Sequence, residues 1–340
     1  MPRRTLLTVI LNFRTPEMTL QSVEAALREM DGIEGEIIVV DNDSGDGSFE
    51  RLRAAVEKNG WDRVRVLQSG HNGGFGAGNN VGIRAGLSNG ERADYVYILN
   101  SDAFPDPGAI RILMDYLEDH PHVGFAGSHI HGPDGDPHVT AFRFPSIASE
   151  FEGSIRFGPV SRLLKTKAVP MPMPTLNRRV DWLAGASMMM RSNVLERIGL
   201  FDENYFLYFE ETDLCLRAAR AGWITHYVLD SKVTHIGSVS TGMKKWTRVP
   251  EYWFDSRLYY FVKNHGVAYA TCATMAHTVG GLLWRLRRLI QRKPRADAPH
   301  FLRSLVLHDL GAGWRVVLGL KPKATTPGPI SKKDAQNGKA

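Results

Sequence analysis

Glu210 and Glu211 follow directly on Tyr205-Phe206-Leu207-Tyr208-Phe209, and Asp213 stands two places further on. A carboxylate beside aromatic rings loses hydration and needs a partner or a task. The stretch "EETDLCLRAARAG" reads as a helix, so both glutamates fall in its first turn, where the anion is stabilised. Half-buried, ring-walled and ionised, such a group can act as a general base. The alternative is that Glu210, Glu211 and Asp213 only cap the helix, a description that suits Asp213 well.

Three further groups could do chemistry. In "ILNSDAFPDPG", Asn100 and Asp102 are two apart on an extended segment and point the same way. Both offer hard oxygen ligands of the kind Mg²⁺ or Mn²⁺ takes when it also binds a substrate diphosphate. Asp102 could instead cap the helix that begins near Pro107. His235, in "VTHIGSVS", closes a strand; a lone histidine is more often structural, and this one gains weight only in company with Asp102. The glycine-rich "NGGFGAGNN" (Asn72–Asn80) follows a strand and opens a helix. Its backbone N–H groups could approach a phosphate or a base closely. It lacks the Gly-Lys-Ser/Thr of a P-loop and the spacing of a dinucleotide fingerprint, so a plain tight turn is the alternative.

The elements that must position these residues alternate. "LLTVILNF", "GEIIVVDNDS", "VRVLQSG" and "DYVYILNSD" read as buried strands. Between them, "PEMTLQSVEAALREM", "GSFERLRAAVEKNG" and the glycine-rich segment read as helices, and "PGAIRILMDYLEDHP" follows the fourth strand. Repeated β–α units predict an α/β fold with a mainly parallel central sheet and helices on both faces. Ligands of such sheets sit at the carboxyl ends of the strands. Asn12 and Arg14, Asp41-Asn42-Asp43, and Asn100-Ser101-Asp102 stand there and outline a site for a polar, phosphate-bearing ligand. Residues 131–180, rich in Pro and Gly, read as long loops with at most a short hairpin.

Of the 340 residues, 43% are hydrophobic and 23% charged, a globular composition. Two cysteines exclude a disulfide framework and a cysteine-rich zinc site, and suit a reducing compartment. The opening "MPRRTLLTVILNF" has the charge and apolar run of a leader, but no small-residue cleavage site follows, and it reads as the first strand. Charge is polarised: residues 1–243 carry a net −7 and residues 244–340 a net +13. "LLWRLRRLIQRK" (282–293) is a basic amphipathic helix, with "FLRSLVLHDLGAGWRVVLGLK" similar to it, and both suit an anionic bilayer surface. The alternative is that they pack on the body of the protein.

Six motifs between Leu7 and Ser240 stand in the order found in the family 2 inverting glycosyltransferases: "VILNFRTPEMTLQSVEAAL", "EIIVVDNDSGDGS", "NGGFGAGNNVGIRAG", "YILNSDAFPDPGAI", the stretch from "DWLAGASMMM" to "AARAGW", and "VTHIGSVS". The chain resembles the rhamnosyltransferase-like bacterial members that build cell-surface polysaccharides. The resemblance implies a GT-A nucleotide-diphospho-sugar transferase fold over residues 1–245. A basic helical region over 246–322 and a disordered tail over 323–340 would follow. It further implies that Asn12 and Asp41 face the nucleotide's base and ribose. Asn72, Gly73, Gly74 and Asn80 would lie in a second donor-binding loop, with Ser101 and Asp102 also on the donor side. Asn100, Asp102 and His235 would be metal ligands, with Asn where many relatives have the first Asp. Glu211 would be the catalytic base, a Glu in place of the usual Asp, with Glu210 orienting it. Trp182 and Gly185 would lie on the acceptor side.

The activity so implied is transfer of a sugar, dTDP-L-rhamnose being the first donor to consider, to a hydroxyl of a lipid-linked or polysaccharide acceptor. Mg²⁺ or Mn²⁺ would assist at the cytoplasmic face of the cell membrane. A catalytically silent nucleotide-sugar or glycan-binding relative is the rival, with Asn100 as its support. A nucleic-acid partner is not expected: no recognition motif is present, and the acidic half would repel phosphates.

Overall fold

The computed structural model describes residues 4–237, 248–294 and 297–317. The four expected strands form β1 (Thr5–Asn12), β2 (Glu34–Asp41), β3 (Val64–Gln68) and β4 (Tyr95–Asn100), all parallel to one another. Their connections are α1 (Pro16–Glu29), α2 (Ser48–Asn59) and α3 (Gly74–Ala85). Pro16 starts α1 as its sequence position suggests, and Gly60, with φ +60°, closes α2. After β4 come β5 (Ala103–Pro105), α4 (Ala109–Asp119) and β6 (Val123–His131).

Residues 131–180 depart from the expected long loops. They form β7 (Ala141–Phe142), two helices, α5 (Ile147–Ile155) and α6 (Gly158–Leu163), and β8 (Arg178–Val180). The sequence signal for α5 was Ser146, whose hydroxyl accepts from the Ser149 N–H while the Ser149 hydroxyl accepts from the Ser146 N–H, a reciprocal capping box. β9 (Trp182–Leu183) pairs with β7, and β10 (Ser187–Arg191), α7 (Ser192–Ile198), α8 (Glu210–Arg220) and β11 (Ile224–His235) complete this part. The nine-stranded sheet runs β3-β2-β1-β4-β10-β6-β11-β5, with β8 beside β11. Its left half is parallel; β10 enters antiparallel to both β4 and β6.

Alternate residues of the strands feed two cores. Leu6 and Ile10 face Val23, Ala26, Leu113 and Leu117 on the α1/α4 side. Leu7 and Val9 face Val194, Leu195, Leu214 and Ala218 on the α7/α8 side. Strands covered on both faces explain the unbroken apolar runs in the sequence.

The remaining helices are α9 (Glu251–His265), α10 (Val267–Gln291) and α11 (Phe301–Val317). They pack on the body: Tyr260, Phe261, Ala270 and Ala273 share a core with Tyr205 and Leu216. Arg257, fully buried on α9, pairs with Glu150 of α5 at 2.8 Å and Asp309 of α11 at 3.2 Å. Among the described residues no helix is long and apolar enough to cross a membrane. The expected boundary at 245/246 and the tail at 323–340 lie outside the described residues.

Candidate active site

The loop that delivers the two glutamates is bent by its own aromatics. Tyr208 and Phe209 have φ +71° and +70°, two successive bulky residues in the left-handed region. Such a conformation persists only where the surroundings hold it. α9 supplies the hold: the Ser256 hydroxyl donates to the Leu207 carbonyl at 3.1 Å, and the Phe209 ring lies against Trp253 and Tyr260. Lys263 Nζ reaches Asp202 at 2.7 Å and Asp213 at 2.8 Å, on either side of the loop.

Asp213 is therefore no cap. It is completely buried and accepts from Arg217, Lys263 and Asn264 at 2.8, 2.8 and 2.9 Å. The N-cap position is Phe209. Sequence reasoning missed Lys263 and Asn264, because nothing local to α9 announces a partner 50 residues away.

Glu210 is 1% exposed and its Oε2 has no hydrogen-bond partner among the described residues. Burial, and then the charge of Glu211, push its proton affinity well above the usual carboxylate range. Glu211 is half-buried; one oxygen accepts from the Gly185 N–H at 3.2 Å. Burial raises its pKa as well. The expectation of an anion favoured by the helix terminus is thus reversed in sign. Desolvation outweighs the dipole, and a raised pKa makes a stronger base once the proton is off.

Asn100, Asp102 and His235 meet. β5 pairs antiparallel with the end of β11, His235 opposite Ala103. His235 Nε2 lies 3.0 Å from Asp102 Oδ1 and 3.3 Å from Asn100 Nδ2. The other Asp102 oxygen accepts from the Gly237 N–H at 3.1 Å, so Asp102 does not cap the following helix, whose N-cap is Gly108. The Ser22 hydroxyl donates to the Asn100 and Ala103 carbonyls and fixes the turn between them. Ser101, nearly buried, has its hydroxyl 3.4 Å from that of Thr15.

The Asp102 carboxylate and the His235 imidazole, with the Asn100 carboxamide beside them, make a group that fits a hard divalent ion needing further oxygens from a diphosphate. Among the described residues no cluster of three His, Cys, Asp or Glu exists that could hold a metal by itself.

Asn12 and Asp41 come together at paired positions of β1 and β2. Both are buried and bonded to each other at 2.7 Å. The Ser44 hydroxyl donates to Asp41 at 2.6 Å, and that of Thr19 to Asn12 at 2.7 Å. This network sets the floor beneath the strand ends. Ser44, three places after Asp41 in "DNDS", is the partner that the local sequence offers Asp41.

The glycine-rich loop is arranged differently from the expected phosphate cradle. Gly74 has φ +89°, and a Cβ there would run into the Phe206 carbonyl. The N–H groups of Gly73, Gly74 and Phe75 donate to the His71 carbonyl, to Asn72 Oδ1 and to the Phe206 carbonyl. The glycines admit the chain's own aromatic loop that precedes Glu210. Asn72 also accepts from Asn42 at 2.9 Å. Asn80 clasps residues 201–203: its amide donates to the Phe201 carbonyl and to Glu203, and its oxygen accepts from the Phe201 N–H.

Gly185 and Ala186 join the two chemical groups. Gly185 holds Glu211, while the Ala186 carbonyl accepts the Asn100 N–H at 3.0 Å. Trp182 stacks on Phe142 at 4.1 Å and donates from its indole to the Arg143 carbonyl, building a wall before Gly185.

A half-buried glutamate held by a backbone N–H, and an oxygen-rich group at the end of a parallel strand, are thus joined through Gly185 and Ala186 on an α/β sheet. Residues 2–250 match the family model described as "Glycosyltransferase like family 2", and the chain belongs to that family; it is a glycosyltransferase of the hexosyltransferase type. The N-acetylglucosaminyl-diphospho-decaprenol L-rhamnosyltransferase of Mycobacterium tuberculosis (strain ATCC 25618 / H37Rv) is 33% identical over 214 residues, 61% of this chain and 68% of that protein. Rhamnosyltransferase WbbL of Escherichia coli (strain K12) is 30% identical over 157 residues, 46% of this chain and 58% of that one. A mannosyltransferase from Pyrobaculum calidifontis, solved with GDP-Man and Mn²⁺, superposes with a TM-score of 0.56 at 14% identity, over 92% of this chain and 80% of that chain. The fold is accordingly the GT-A fold, as the ordered motifs implied.

Proposed function

We propose that this enzyme transfers a sugar with inversion from a nucleoside-diphosphate donor to a hydroxyl of a lipid-linked glycan during synthesis of a cell-surface polysaccharide. dTDP-L-rhamnose is the donor to test first, a choice supported by two relatives named as rhamnosyltransferases. The observation that carries the reading is the Glu211 carboxyl, held by the Gly185 N–H and of raised proton affinity.

Glu211 takes the acceptor proton as the hydroxyl oxygen bonds to the anomeric carbon. The bond from that carbon to the diphosphate oxygen breaks on the opposite face, and the nucleoside diphosphate leaves with the electron pair. Asn100, Asp102 and His235 would hold Mg²⁺ or Mn²⁺, which when bound offsets the charge gathering on the diphosphate. Glu210, whose proton affinity burial and the charge of Glu211 raise, lies beside Glu211 as its orienting neighbour. Trp182 and Gly185 border the acceptor side, and Asn12, Asp41, Asn72 and Ser101 shape the donor side.

The carrier lipid named in the Mycobacterium relative, together with the basic C-terminal helices, supports a protein peripheral to the inner face of the cell membrane. The test is a panel of nucleotide sugars with Mg²⁺ or Mn²⁺, read by thermal shift and by nucleoside-diphosphate release. Stabilisation and release with one donor would support the reading. Binding without release, in the presence of membrane extract as acceptor source, would count against it.

A further inference from the structure

α10 is apolar on two opposite sides. Its inner side, Ala270, Ala273, Gly280, Gly281 and Trp284, is buried against α5, α9 and α11. A Cβ on Gly280 would collide with Ser154 of α5, so that side sits as close as a helix can. On the other side Leu282, Leu283, Leu286, Leu289 and Ile290 are 45–75% exposed. An apolar stripe of this kind on a folded surface marks an interaction site.

A second element lies beside it. The Arg287 guanidinium sits 4.7 Å over the Phe157 ring and donates to the Ile155 and Arg156 carbonyls, which ties the start of α6 to the outer half of α10. Phe157 is 40% and Leu163 80% exposed. Both segments are cationic. Residues 156–168 include Arg162, Lys165 and Lys167, residues 267–294 include Arg285, Arg288 and Arg292, and neither segment holds an Asp or Glu.

We propose that α6 and the outer half of α10 together form one docking face for an anionic bilayer, so that the membrane orients the catalytic half through α6 as well as through the C-terminal helices. Arg156 pairs with Asp297, but Arg162, Lys165, Lys167, Arg285 and Arg292 have no acidic partner among the described residues, and leucines flanked by such cations are what an anionic interface recognises. A second copy fits poorly, since a two-fold contact would set arginines against arginines. The segment 318–340 is no better as a cover, with five lysines and one aspartate. The proposal extends the peripheral-membrane part of the proposed function, but its test needs no sugar transfer.

The test is co-flotation of the full chain with phosphatidylcholine vesicles, with and without phosphatidylglycerol, alongside light scattering for oligomeric state. The protein is expected to float with the anionic vesicles only, and to detach as salt is raised to about 0.5 M. Leu163→Glu and Arg162→Glu, both at exposed positions of α6, are each expected to weaken binding about fivefold or more. Leu286→Glu should do the same from α10, with unfolding curves unchanged in all three. Anionic-vesicle binding that ignores both α6 changes would overturn the shared face. Absence of vesicle binding would overturn the proposal outright, and a dimer broken by Leu286→Glu would reassign the stripe to a contact between copies.

Discussion

The backbone N–H of Gly185 points at the Glu211 carboxylate, 3.2 Å away, with room for nothing larger than hydrogen on its α-carbon. A Cβ there would lie 3.0 Å from the same carboxylate oxygen and 2.9 Å from the tip of the Phe75 ring. Gly185→Ala is expected to displace the carboxylate, lowering kcat by about tenfold to a hundredfold while donor KM stays nearly unchanged. Steady-state kinetics with separate donor and acceptor titrations check it. An unchanged kcat would detach Gly185 from the base.

Glu210 and Glu211 both hold their protons to higher pH than free carboxylates do. On the proposed role of Glu211 as base, transfer needs it ionised, and the rate should rise with pH through its raised pKa. Stability runs the other way. With folded pKa values above the unfolded ones, the contribution is fully present below the ordinary carboxylate range and lost as pH rises through the raised values. Glu210→Gln mimics the neutral acid. It should leave the acid limb of the rate profile in place and remove part of the loss of stability at higher pH. Urea unfolding at several pH values, beside the rate profile, checks both halves.

Asp202 and Glu150 titrate oppositely, each held down to about 2 against the desolvation of burial, Asp202 chiefly by its hydrogen bond from Lys263 and Glu150 by the charge of Arg257. Their contribution is present above the ordinary carboxylate range and fades as pH falls toward about 2. Among the described residues, Lys263→Met removes one of the four side-chain donors to the buried Asp213, and takes from Asp202 its one cationic partner, leaving it Tyr259 and Asn204. It is expected to cost about 2 kcal/mol in denaturant unfolding. It should also lower kcat, with partial recovery in Lys263→Arg. Full activity in the Met variant would show that α9 does not hold the base loop.

Asp102 brings the only carboxylate to its group of three donors, so metal affinity should depend on the nucleotide. Mn²⁺ alone is expected to shift the melting temperature little, and Mn²⁺ with a nucleoside diphosphate to shift it strongly. Asp102→Ala should abolish that joint shift and cut turnover about a hundredfold or more.

The β–α alternation of the first half was readable because each element has its own period and punctuation, Pro16 and Gly60 among them. Asn100 and His235 were readable as candidates because each ends a strand, and Asp102 because it stands two places after Asn100. What stayed hidden was nonlocal. The purpose of Gly74 is set by Phe206, and that of Asp213 by Lys263, and no pattern in one segment names a partner in another. α5 and α6 were obscured by the proline and glycine around them, although the Ser146 cap was visible.

The most direct measurement compares Glu211→Gln with the unaltered enzyme for nucleoside-diphosphate release from dTDP-L-rhamnose, given a polyprenyl-diphosphate-linked N-acetylglucosamine as acceptor. The account predicts a fall of about a hundredfold to ten-thousandfold in transfer, with dTDP binding retained. Transfer at the unaltered rate would contradict the assignment of Glu211 as the base.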